Sequence, residues 1–418
     1  MPMRVTEIEA HQITLPYDPV RAYELRHYFH MQQRTVYIAH TDTGLVGLGE
    51  GGGPPDQALI DRYVGSNPFE WMGDETSLGL GTAMYDLMGQ AAGVPVYKLF
   101  GQKYRSWVPV ASWTVSTHPQ RMARAVADYA AQGHTWMKFH LSPFENVIDQ
   151  TEAMQAVAPK GFKLHYDFTM HGTTDHMPSL LEQLAQYPIA GCFEDPLPGE
   201  DIDGYIDLRR RSPLPIVLHH FPMRATYEVL SRPGDIYMLG HYTIGEASRR
   251  AGLFEAAGAP FMLQNTGGTI TRAMVAHMMA AFPTASFHFV TAGETWAEDV
   301  VEERLEPVNG LLRVPEKPGL GLSLDRAALE RALEAEPQKP ERWIARSTFA
   351  DGTCMYNLVS PEKAHFLVRP DWSRGVPPMS YAAPLSTEYW DDDGGAQFKA
   401  MAERLEREDT VIESGGAQ

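Results

Sequence analysis

Cysteine is nearly missing from this chain: 418 residues hold two, Cys192 and Cys354. Two thiols cannot build a disulfide framework, which fits a reducing compartment. Positive charge is also in deficit, with 35 Lys and Arg against 53 Asp and Glu and a formal charge of −18. That balance argues against nucleic acid and against an anionic membrane surface as partners. No apolar window approaches the roughly 20 residues needed to cross a bilayer. The opening MPMRVTEIEAHQ alternates polar and apolar residues, unlike a secretion signal. No Gly-rich phosphate loop follows an early strand, which counts against an open nucleotide-binding sheet. These absences leave a cytoplasmic, enzyme-sized protein with no nucleic-acid or membrane partner.

What is present is a change of rhythm along the chain. Residues 3–15 and 34–48 alternate as strands, the latter turning through Asp42-Thr43-Gly44. GEGGGPP at 49–55 reads as a loop, and LGTAMYDLMGQAAG at 80–93 as a helix stopped by Gly93 and Pro95. From VPVASW onward, apolar runs recur at 108–113, 135–140, 162–167, 189–194, 215–220, 234–239, 260–264 and 286–291. Their starts differ by 26 or 27 residues in six of seven steps, with amphipathic stretches such as MARAVADYAAQG between. That spacing suits one βα unit of a (β/α)8 barrel. The chain therefore divides into an α+β block at 1–107, a barrel at 108–313 and a segment at 314–418. This last segment ends in an aromatic-rich arm, whose composition suggests order and a homo-oligomeric interface. The Met-rich AMVAHMMAAF at 273–282 reads as core packing.

Barrel active sites lie at the C-terminal ends of the strands. The second strand ends Lys138-Phe139-His140, the third Asp167, the fourth Glu194 and the fifth His219-His220. The sixth ends Gly240-His241, the seventh Gln264-Asn265, and the eighth runs toward Glu294. Asp167, Glu194 and His220 stand one βα unit apart, so three possible metal ligands converge on one point. His219 is the neighbouring choice, since adjacent residues on a strand face opposite ways.

The segments TDTGLVGLGE, AMYDLMGQAAGVPVYKLFG, FEDPLPGEDIDGYIDLRRRSPLPI and VPEKPGLGL carry a family resemblance over roughly residues 3–325. Taken together, the chain resembles the mandelate racemase/muconate lactonizing branch of the enolase superfamily, and within it the acid-sugar dehydratases. The resemblance implies an α/β fold, a (β/α)8-type (modified TIM) barrel with an α+β capping domain, here residues 1–107 completed by the segment 314–418. It implies abstraction of the proton α to a carboxylate, with one divalent metal, Mg²⁺, stabilising the enediolate. Position by position, Asp167 and Glu194 match the first two metal ligands and His220 (or His219) the third, normally a carboxylate. Imidazole there would shift preference toward Mn²⁺, Zn²⁺ or Fe²⁺. Lys138 and His140 match a pair of lysines, the second usually a base. Histidine suits proton transfer near neutral pH.

The Asp-His dyad expected on the sixth and seventh strands is absent: Gly240 and Gln264 stand there, with His241 one residue beyond as a further catalytic candidate. Arg26, His27 and Tyr28, in a cationic-aromatic cluster continuing through Phe29 and His30, would contact substrate from the N-terminal loop, with Gln264 and Glu294 contributing from the barrel. The expected activity is β-elimination of water from an acid sugar, a small carboxylate substrate. A racemase or isomerase on the same enediolate is the first alternative. The second is a catalytically silent binding protein, suggested by the missing third carboxylate and missing dyad.

Overall fold

The computed structural model describes residues 3–26, 31–221, 224, 226–339, 341–368 and 385–414. The chain opens as an antiparallel sheet in the order β1 (Val5–Thr14), β2 (Gln33–Thr41), β3 (Val46–Gly52). β3 extends into the glycine run expected to be loop, because those glycines let a helix close on the sheet. A Cβ on Gly49 would lie 2.1 Å from the carbonyl oxygen of Gly79. That helix, α1 (Leu78–Ala92), starts with the Ser77 side chain accepting from Leu80 N–H and stops at Gly93, whose φ is +68°. Its Asp86 is buried and accepts the backbone N–H of Leu48 at 2.9 Å and of Leu320 at 2.8 Å. Burial pushes this carboxyl up to about 6.

Eight parallel strands follow: β4 (Ser112–Val115), β5 (Trp136–His140), β6 (Lys163–Asp167), β7 (Ala190–Glu194), β8 (Ile216–Leu218), β9 (Ile236–Gly240), β10 (Phe261–Gly267) and β11 (Val290–Ala292). Each pairs with its sequence neighbours, and a parallel bridge between Val110 and Phe289 brings first and last together. Helices α2 (Pro119–Ala131), α3 (Val147–Val157), α4 (Met177–Leu184), α5 (Ile202–Arg211), α6 (Ile244–Ala257) and α7 (Thr269–Ala281) fill most crossovers. A short π-helical segment, Thr226–Ser231, stands between β8 and β9. The apolar run at 108–113 is not one strand: Trp107–Pro109 leaves the barrel to pair with Leu311–Arg313. Every residue of α7 is buried, its methionines against the core.

After α8 (Arg326–Glu334), which packs on β1, the chain forms a second antiparallel sheet. Its order is β14 (Leu385–Asp391), β12 (Trp343–Phe349), β13 (Cys354–Val359), β15 (Thr410–Glu413). Helix α9 (Ala396–Glu408) covers one face through Phe398, Ala402 and Leu405. Among the described aromatics of this segment, Trp343 is buried beside Phe144 of the barrel. Among the described residues, no helix is long and apolar enough to cross a membrane.

Candidate active site

Alternation along a strand puts residues i and i+2 on one face, so Lys138 and His140 of β5, and His165 and Asp167 of β6, point the same way, into the barrel. The Lys138 ammonium is fully buried. It lies 3.0 Å from Asp167 Oδ2, 2.7 and 2.8 Å from the two oxygens of Glu194, and 2.8 Å from Gln264 Oε1. Burial alone would depress the lysine, but Asp167 and Glu194 together push its pKa above the ordinary value. Glu194 in turn is held well below the usual carboxylate range: burial opposes this, and Lys138, His165 and His219 prevail.

Each carboxylate oxygen has further partners. Asp167 Oδ1 accepts from the Thr169 N–H at 2.9 Å, and Oδ2 stands 3.0 Å from His140 Nε2. Glu194 Oε1 stands 3.1 Å from His219 Nδ1, and Oε2 stands 2.7 Å from His165 Nε2. An ionised carboxylate only accepts, so His219 Nδ1, which hydrogen-bonds Glu194, carries a proton. The Trp113 indole N–H donates to His140 Nδ1 at 3.0 Å, so Nδ1 is the lone-pair atom. His165 Nδ1 shares a hydrogen bond of 2.8 Å with Nε2 of a second buried histidine, His288. Burial lowers His140 to about 4, so it is neutral at pH 7.

Above this layer lies a cavity of about 310 Å³. His140, His219, His220, His241 and Gln264 line it from the strand ends, and Trp113, Met31, Phe366 and Leu367 form its walls. Thr169, Met170, Asp195, His241 and Ala292, all at strand ends, take positive φ. Such backbone is strained for residues other than glycine and gathers at functional sites.

His219 and His220 do not face opposite ways. β8 ends at Leu218, so strand alternation no longer governs them, and both rings line the cavity with centroids 4.0 Å apart. The buried Asp195 carboxylate fixes this turn by accepting the backbone N–H of His219 at 2.8 Å and of His220 at 2.9 Å. It is His219 that reaches Glu194, while His220 is the more exposed of the two. Gly240 explains the lost dyad: a Cβ there would lie 2.0 Å from His219 Nε2. The imidazole occupies the room a side chain on β9 would need.

The remaining candidates fall elsewhere. Glu294 is buried off the cavity, accepting from Arg272 at 2.6 Å and from the Trp113 amide at 2.7 Å. Arg26 is paired with Asp391 at 3.1 Å and Glu341 at 3.5 Å, its guanidinium over the Tyr23 and Trp343 rings, so it anchors the C-terminal sheet. His27 and Tyr28 lie outside the described residues. Asp195 was marked in the sequence as the second member of the acid pair Glu194-Asp195. Three other residues here went unremarked: His165 was legible, standing two before Asp167 on the same strand face, whereas Trp113 and Phe366 carried no comparable signal.

Hard oxygen donors of the kind that suit Mg²⁺ or Mn²⁺ are present: four oxygens of Asp167, Glu194 and Gln264 surround the Lys138 ammonium at 2.7–3.0 Å, so a metal ion held by them would have to displace that ammonium. Beside it, Asp195, His219 and His220 each offer a ligand atom, all within 4.8 Å of one another.

A parallel barrel with acids and imidazoles at its C-terminal mouth, under a cap, defines a barrel enzyme. Residues 121–328 match the family model described as enolase C-terminal domain-like, and the chain belongs to the enolase superfamily, in its mandelate racemase/muconate lactonizing branch. It is 29% identical to a D-xylonate dehydratase of Haloferax volcanii, over 70% of this chain and 83% of the relative. It is 23% identical to a cis-3-hydroxy-L-proline dehydratase of Roseibium aggregatum, over 77% of this chain and 96% of that one. Among solved structures, an enolase from Pseudomonas fluorescens with bound magnesium, potassium and tartrate superimposes with a TM-score of 0.66 at 19% identity, covering 80% of this chain and 93% of that one.

Proposed function

We propose that the protein removes the proton α to the carboxylate of an acid sugar and eliminates the β-hydroxyl as water. The observation that carries this reading is the buried cage of carboxylate oxygens directly beneath a cavity walled by four imidazoles. The dehydratase relatives support the reaction class. A divalent ion held by Asp167, Glu194 and His219 would bind the substrate carboxylate and offset the enediolate charge.

His140, not Lys138, is the better base. It lines the cavity, whereas the Lys138 ammonium lies buried beneath and is held protonated. Asp167 fixes the His140 tautomer and stands ready to stabilise the imidazolium, leaving Nδ1 to take the α-proton once the Trp113 indole yields. The same imidazolium can return its proton to the departing hydroxyl, so the step closes with an enol that becomes a 2-keto-3-deoxy acid. His241 and His220, kept toward the neutral form by burial, offer hydrogen bonds to the polyol.

One feature favours a silent binding protein instead: Lys138 already supplies the cage with a cation. Incubation with a panel of aldonates in D₂O with Mg²⁺ or Mn²⁺ decides between them. The expected result is exchange at Cα and formation of keto acid, both lost in His140→Gln. Absence of exchange, of product and of any metal-induced stabilisation would overturn the enzymatic reading.

A further inference from the structure

The family match ends at residue 328, yet the chain beyond it reaches the reaction chamber. The C-terminal sheet lies on the loops that follow the first three barrel strands. Thr387 donates to the Phe144 carbonyl, Tyr389 hydrogen-bonds Glu145, and the Tyr389 ring stacks on His118 at 4.3 Å. From this platform a short turn, His365–Leu367, dips toward the barrel axis. Two bonds pin it: His365 Nε2 donates to the Ser116 carbonyl at 2.7 Å, and Thr169 Oγ1 donates to the Phe366 carbonyl at 3.1 Å. The Phe366 ring then lies 4.7 Å from the His140 ring, and both Phe366 and Leu367 line the cavity. Of the described residues in the N-terminal block, only Met31 lines it.

We propose that Phe366 and Leu367 form the wall against which the far end of the substrate rests, and that they set the chain length of the acid accepted. The inference rests on the cavity being the acid-binding site. With the carboxylate drawn toward the Asp167–Glu194 layer, the carbons remote from it run outward to the apolar surface of Phe366, Leu367 and Met31. An aromatic face packs well on the C–H groups of a polyol and gives an added hydroxymethyl group no hydrogen-bonding partner. An extra carbon therefore meets a buried ring on a turn that is hydrogen-bonded to the barrel through the His365 imidazole and the Phe366 carbonyl. A pocket wall of this kind discriminates one carbon by roughly 10–200-fold.

The test compares four-, five- and six-carbon aldonates in wild type, Phe366→Ala, Leu367→Ala and Phe366→Leu, with folding checked by circular dichroism. The expected result is that Phe366→Ala narrows the ratio of kcat/KM between adjacent chain lengths by about tenfold or more, mainly through KM. Phe366→Leu should restore most of it. An unchanged ranking in both alanine variants, with wild type active, overturns the wall while leaving the proposed reaction intact. Should wild type turn over none of the acids, calorimetric binding of the same series decides. A binding order altered by Phe366→Ala supports the wall, and an unaltered order or no binding overturns it.

Discussion

Replacing Lys138 by methionine isolates the electrostatics of the buried layer. The substitution keeps length and apolar bulk but removes the ammonium that lies within reach of four oxygens, two of them on a fully buried Glu194. Deleting one partner of a buried ion pair costs about 3–5 kcal/mol, because the opposite charge is left without compensation. Here two carboxylates are stranded together, so one of them must take up a proton. In the wild type, Glu194 has a depressed folded pKa, so its contribution is present above the unfolded value of about 4.3 and lost as pH falls through the folded one. In Lys138→Met the sign reverses: a raised carboxyl gains stability as pH falls. Urea denaturation should therefore show a loss of about 3–5 kcal/mol at pH 8 that shrinks toward pH 5. Added Mn²⁺ should recover more stability in the variant than in wild type, since the ion supplies the missing charge. A loss below about 1 kcal/mol at both pH values, with equal responses to Mn²⁺, would refute the account.

Two other perturbations probe the same logic. Gly240→Ala places a methyl where the His219 ring now lies, 2.0 Å from Nε2, so the ring must leave Glu194. Overpacking of this kind costs about 1–3 kcal/mol, and metal-dependent exchange should fall at least tenfold, while adding His219→Gly should recover the stability in a thermal melt. His277 is fully buried on α7, 3.2 Å from the Leu320 carbonyl, and burial lowers it to about 4. Below its unfolded value near 6.5 the unfolded chain binds a proton that the folded chain refuses, so stability drains away as pH falls from 6.5 toward 4. His277→Gln removes this term. Its stability relative to wild type should improve by about 2 kcal/mol between pH 7 and pH 5 in urea titrations.

The barrel and its two acids were legible because the information is periodic and local. Asp167 and Glu194 stand at the ends of apolar runs, and β6 and β7 end on those residues. His219 and His220 were harder. Sequence alternation allowed only one into the site, but β8 stops at Leu218 and Asp195 gathers both backbone amides. The gap at Gly240 looked like a loss of chemistry, whereas it makes room for an imidazole from the adjacent strand. Arg26 and Glu294 have site-like chemistry but find partners with no sequence proximity, Asp391 and Arg272. Phe366 was invisible for the same reason: its place at the mouth depends on pairing between strands far apart in the chain.

Asp86 ties the timing of assembly to chain length. Its carboxylate spans the N–H groups of Leu48 and Leu320, and β1 finds part of its cover in α8, which ends at Glu334. The N-terminal sheet is made first, yet its cover is complete only when residues beyond the barrel have emerged. Contacts of such long sequence separation slow folding. A stalled or truncated product ending before residue 320 would leave Asp86 without one of its two amide partners and β1 without α8, so the segment from Leu320 to Glu334 acts as the seal of the cap.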